Sequence, residues 1–160
     1  MTRLDETNVQ LLLLLQKDGR MSVADLATAV GRSESTVRER MGSLEREGLL
    51  RGYHADIDWS RAGLPASVVL HARCDPAKLP ELRRRLASLP NVTAASVVTG
   101  DRPLMAHLQV RDMQHLREIL QRSLPDLVAP EARVVLESLV DWRPPTVPGA
   151  GADLDPPSRG

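Results

Sequence analysis

The sequence contains no phenylalanine, one tyrosine and two tryptophans, so aromatics make up only 2% of its 160 residues. Any core must therefore come from Leu, Val, Ala and Met, and with 42% apolar residues there are enough of them. Cysteine is nearly absent too. A lone Cys74 excludes an intramolecular disulfide and suits a reducing cytoplasm. It also excludes a multi-cysteine zinc site. Long apolar runs are missing, and the longest, Leu11 to Leu15, is far too short to span a membrane. Asp5 and Glu6 stand where a signal peptide would carry its basic start. Neither sign of charge is in excess, with 21 basic and 21 acidic residues. Residues 1–54 are balanced as well, with eight Lys/Arg against eight Asp/Glu. A nucleic-acid reading must therefore rest on where the arginines sit. Arg outnumbers Lys 19 to 2, and guanidinium forks suit phosphates and guanine edges.

What is present begins with three capped helices. Asp5 is a good N-cap, with Leu4 and Val9 at hydrophobic-staple spacing around it. This first helix runs through the leucines and stops near Gly19. Five consecutive leucines wrap right around a helix, so some need cover beyond the next two helices, or stay exposed. Ser22-Val23-Ala24-Asp25 has the form of a capping box, and Val23, Leu26, Ala27 and Val30 form one stripe. Gly31 ends that helix and Ser33 caps the next, so only a tight turn separates them. Val37, Met41 and Leu44 form the buried stripe of the third helix, and Gly48 stops it. A small Ala27, a turn glycine at 31 and a core Val37 have the spacing of a helix-turn-helix.

Tyr53 to Ile57 reads as a short strand and Trp59 to Pro65 as a linker. The pattern then changes. Ala66–Cys74 alternates as a strand does, and Lys78–Leu89 is an Arg-rich helix with Leu79, Leu82, Leu86 and Leu89 on one face. Val92–Thr99 and Leu104–Arg111 are strands around a turn at 100–103, and Asp112 caps a helix carrying Leu116, Ile119 and Leu120. Ala132–Val140 is the last strand. The order βαββαβ is a ferredoxin-like split unit, so the fold class is α+β. Arg83–Arg85 read as the solvated side of their helix. From Pro144 onward, eight of seventeen residues are Pro or Gly, which predicts a disordered tail over 144–160.

The stretches "LDETNVQLLLLLQKDGR", "LATAVGRSESTVRERMGSLEREGLLRGY" and "VTGDRPLMAHLQVRDMQHLREIL" carry a resemblance. The resemblance they carry covers roughly residues 4–142. The sequence resembles the Lrp/AsnC, or feast/famine, family of transcriptional regulators. The resemblance implies a winged helix-turn-helix over residues 1–52, a linker strand and hinge at 53–65, and a βαββαβ effector and dimerisation domain, the RAM domain, over 66–143. It implies double-stranded DNA as partner, read as a pseudo-palindromic operator, and a homodimer or assembly of dimers. The expected DNA contacts fall at Arg32, Ser33, Ser35, Thr36, Arg38 and Arg40. Hydroxyls and backbone N–H groups at a helix start suit phosphates. Arg38 follows the buried Val37 on the groove side, where it reaches a guanine, or else pairs with a neighbouring Glu34 on a solvated face. Arg32 stands where the family has an apolar turn residue; a charge there cannot be buried cheaply, so it points outward.

The family's loop for a small effector, often an amino acid, is commonly Gly-Asp-aromatic-Asp. Here it reads Gly100-Asp101-Arg102-Pro103. Either the loop takes a carboxylate or another anion at Arg102, or the site is lost. The expected dimer face carries Val69, His71, Met105 and His107, with Val97 and Val135 sharing it. The four histidines lack ligand spacing, so no metal or other cofactor is expected. No nucleophile elbow, P-loop or carboxylate pair appears. One enzyme alternative stands: some proteins on this scaffold are siroheme decarboxylases, which need basic side chains and histidines facing a tetrapyrrole carboxylate. The intact caps and arginines of the third helix favour DNA.

Overall fold

The computed structural model describes residues 4–140 together with residues 145 and 147. They fall into two compact units: residues 4–55 with 145 and 147, and residues 56–140. The expected disordered tail lies outside the described residues, apart from those two positions.

The first unit is three helices, α1 (Glu6–Lys17), α2 (Val23–Val30) and α3 (Glu34–Arg46). Each starts where a side chain satisfies a free backbone N–H. Asp5 accepts from the N–H of Asn8 at 2.8 Å, Ser22 from Asp25 at 3.1 Å, and Ser33 from Thr36 at 3.2 Å. Gly31 closes α2 in the left-handed region (φ 62°), which a side chain rarely adopts. Leu11, Leu15, Leu26, Ala27 and Val37 make the core, with Met41 packed beside them. Leu12 is also buried, whereas Leu13 and Leu14 stay partly exposed. No strand occurs among the described residues of this unit. Residues 53–57, expected as a strand, run without one, and no second segment among the described residues pairs with them. Tyr53 instead donates from its hydroxyl to Glu45 at 3.2 Å.

The second unit holds β1 (Ala66–Arg73), α4 (Leu79–Ser88), β2 (Val92–Val97), β3 (Leu104–Val110), α5 (Met113–Glu118) and β4 (Val128–Val134). One turn of π-helix, Ile119–Ser123, extends α5. The strands form one antiparallel sheet in the order β2-β3-β1-β4. The central strands bury Val68, Leu70, Ala72, Leu104, Ala106, Leu108 and Val110 against Leu82 and Leu86 of α4 and Leu116 of α5. Such alternation is what a sheet covered on one face requires.

Two strand expectations shift. β4 starts at Val128 rather than Ala132 and ends at Val134 rather than Val140. It contains Pro130, which lacks an N–H and breaks a central strand; β4 is an edge, where proline is tolerated. Val97 does not share the open sheet face. An irregularity between Val92 and Ala94 changes the register, so Val97 lies opposite Leu104 on the helix side. Val135 stays level with Ser67, whose carbonyl accepts its N–H at 2.9 Å. Among the described residues, no helix is long and apolar enough to cross a membrane.

Candidate nucleic-acid interface and effector loop

Helix α3 begins with a hydroxyl cluster. The Ser33 hydroxyl caps the helix and lies 2.9 Å from both the Ser35 hydroxyl and the Thr36 hydroxyl. The free N–H groups of the first turn and the dipole's positive end point the same way. A helix start of this kind can accept a phosphate oxygen. Arg32, in the turn just before it, is exposed, and its guanidinium lies 3.5 Å from the Gly31 carbonyl. Arg38 is 64% exposed and donates to Glu34 at 2.9 Å, one helical turn back. It is therefore both solvent-facing and held, and both alternatives raised by the sequence use the same geometry.

Arg40 lies on the other flank of α3 and is used inside the fold. Its guanidinium donates to the Asp5 carboxylate and, at 3.1 Å, to the Asn8 side chain. The bond from Arg40 holds the Asp5 carboxyl below the ordinary Asp range, and the N–H of Asn8 adds to this. Arg40 thus ties the recognition helix to the start of α1. No local pattern marks Asp5 and Asn8 as its partners, because helix caps are read locally and the contact with Asp5 spans 35 residues.

The six DNA-contact candidates are thus not equivalent. Arg32, Ser33, Ser35 and Arg38 stand exposed, Thr36 is half-buried, and Arg40 is engaged.

On the open face of the sheet, Val69 lies opposite His107 on one side and Arg133 on the other. His71 lies opposite Met105 and Glu131. All four expected dimer-face residues are half-buried and share this face. Among the described residues, no three His, Cys, Asp or Glu side chains converge as a metal site would require. His54 is exposed beyond α3, and His115 sits in the first turn of α5.

The loop at 100–103 keeps its turn. Gly100 has φ 115°, a region only glycine adopts readily, and the Pro103 carbonyl accepts from Val98 at 2.7 Å. Arg102 does not project freely. It donates to the Ala129 carbonyl at 3.1 Å and pairs with Glu131 at 2.8 Å. Glu131 also accepts from Arg133 at 2.6 and 2.8 Å. Those bonds hold its carboxyl below the usual range, and the charges of Arg102 and His71 add to the effect. The link between Arg102 and Glu131 was hidden in the sequence because Pro130 masked the start of β4.

The comparisons agree with this architecture. The family model for the AsnC-type helix-turn-helix domain matches residues 4–45, and that for the Lrp/AsnC ligand binding domain matches residues 67–145. A helix-turn-helix transcriptional regulator of Pyrococcus abyssi is 33% identical over 142 residues, covering 88% of this chain and 90% of its own. One from Mycobacterium tuberculosis is 30% identical, covering 91% of this chain and all of its own. The crystal structure of the Mycobacterium tuberculosis leucine response regulatory protein superposes with a TM-score of 0.82 at 26% identity, covering 90% of this chain and all of that one. A capped helix-turn-helix, a four-stranded split βαβ domain and these matches over nearly the whole chain agree, and the chain belongs to the Lrp/AsnC family of helix-turn-helix transcriptional regulators.

Proposed function

We propose that this regulator binds a pseudo-palindromic operator as a cytoplasmic homodimer or an assembly of dimers, with α3 in the major groove. The start of α3 carries this reading: the Ser33 hydroxyl, 2.9 Å from those of Ser35 and Thr36, stands beside two exposed arginines. Ser33, Ser35, Thr36 and Arg32 meet the phosphate backbone and fix the register, and Arg38 reads a base edge. Arg40 serves the same end by holding α3 on α1. The sheet face with Val69, His71, Met105 and His107 packs on its copy. The carboxy-terminal domain senses a small effector, such as an amino acid, near Gly100, Asp101, Arg102 and Pro103. The description of the matching family domain as ligand-binding supports this. The regulator is read as a binder without catalytic activity of its own.

Selection of sites from randomised duplexes tests the DNA reading. The expected result is a two-fold symmetric motif with half-sites about 10 bp apart, or a multiple of that. Binding without sequence preference would refute it.

A further inference from the structure

Helix α3 opens with an acid. Glu34 is the first residue after the Ser33 cap, and amino-terminal residues of a recognition helix are those that reach base edges. An acid there has ordinary structural uses. It complements the helix dipole, and it pairs with Arg38 at i,i+4 spacing. Neither use consumes the side chain. Glu34 is 52% exposed and only one carboxylate oxygen takes the Arg38 bond; the other has no partner among the described residues. On a surface that approaches DNA, an open carboxylate meets the negative field of the phosphates. It is favourable only where a base edge offers a donor.

The major groove offers two such donors, the N4 amino group of cytosine and the N6 amino group of adenine. They are not equal for a carboxylate. Adenine presents its N7 acceptor beside the amino group, which suits an amide with both a donor and an acceptor. An ionised carboxylate only accepts, so N7 repels it. Cytosine carries no such acceptor next to N4. Arg38, one turn along and fixed by the same carboxylate, keeps further N–H groups for guanine O6 and N7.

Resting on the reading of α3 as a major-groove helix, we infer that Glu34 is a specificity-determining residue: it accepts from the N4 amino group of a cytosine while it orients Arg38 onto a neighbouring guanine. It acts by rejection as well as attraction. Any pair that presents no amino group at that position leaves a charge unmatched in the groove.

Site selection with the full-length protein tests this, using the parent, Glu34→Ala, Glu34→Gln and Glu39→Gln. Glu39 is an exposed acid on the same helix with no partner among the described residues, so its variant controls for charge alone. The parent should select one C·G pair in each half-site, preferred about tenfold over the alternatives. Glu34→Ala should relax that position towards equal use of all four pairs and weaken the adjoining guanine preference. Glu34→Gln should move the preference from cytosine towards adenine. Glu39→Gln should leave the position unchanged. All variants change exposed side chains, and a melt matching the parent's checks that each is folded. If the parent selects a motif and both Glu34 variants select the same one, the inference is overturned. A uniform gain in affinity shared with Glu39→Gln also overturns it. A parent with no sequence preference overturns the DNA reading itself, and this inference falls with it.

Discussion

Arg40, in the middle of α3, donates to Asp5, the residue that caps α1. One carboxylate thus starts one helix and positions another. Asp5→Ala removes the cap on the Asn8 N–H and the partner of Arg40 together. It should destabilise the amino-terminal unit by about 0.5–2 kcal/mol from the cap. The Arg40 pair adds little, because the Asp5 side chain is 51% exposed and water screens it. Urea unfolding followed by circular dichroism reads the loss. The sign with pH follows from the lowered Asp5 value. Its contribution is fully present above about pH 3.9, the ordinary Asp value, and is lost as pH falls through the lowered one. The parent should therefore lose stability on acidification more steeply than Asp5→Asn. Parallel curves would mean that Asp5 does not couple to folding.

Arg38 and Arg32 should separate in DNA binding. Arg38→Ala should cost about 1–3 kcal/mol on the selected operator and barely change binding to unrelated DNA. Arg32→Ala should weaken both to a similar extent and lower the salt slope by about 1. Titrations at several salt concentrations distinguish them. Equal losses for Arg38→Ala on both DNAs would reassign it to the phosphate backbone.

The proposed dimer face makes a simpler demand. Val69 and Met105 are half-buried on the open side of the sheet, in register with His107 and His71. Val69→Glu or Met105→Glu would bury an unpaired charge in a sheet-to-sheet contact and should dissociate the dimer. Sedimentation of the full chain reads the mass, and an unchanged oligomer would place the dimer contact elsewhere.

Much of this fold was legible because its signals are local. The caps Asp5, Ser22, Ser33 and Asp112 mark helix starts, and each accepts the backbone bond that its residue type suggests. Alternation through 66–73 and 104–110 gave the two central strands, where burial on one face enforces a strict period. The edges were harder. β4 is exposed at six of its seven positions, so burial imposes no pattern on it, and Pro130 reads as a break. In β2 the register changes between Val92 and Ala94, and a shift of one residue exchanges the two faces. Of the candidate site, residue positions were legible, but partners were not. Arg40 with Asp5, and Arg102 with Glu131, are long-range pairs that no spacing rule reports.

The altered loop gives the last prediction. Arg102 is the one cation that the loop adds, and Glu131 already supplies it with a carboxylate at 2.8 Å. A carboxylate effector at this loop must therefore compete with an internal one. Glu131 is held below the ordinary Glu range, first by its bonds from Arg133, so it stays charged at neutral pH and the competition persists there. Glu131→Gln removes the competing charge with little change of shape. Thermal melts against a panel of amino acids and 2-oxo acids read the consequence. A ligand at a hundred times its dissociation constant adds about 2.7 kcal/mol, which moves the transition by several degrees. For any compound that shifts the parent, Glu131→Gln should shift further at the same concentration, and Arg102→Ala should not shift at all. Without ligand, Arg102→Ala should melt close to the parent, since exposed pairs contribute little. If no carboxylate moves the parent or Glu131→Gln, or if Arg102→Ala responds as the parent does, the loop does not hold an anion through Arg102.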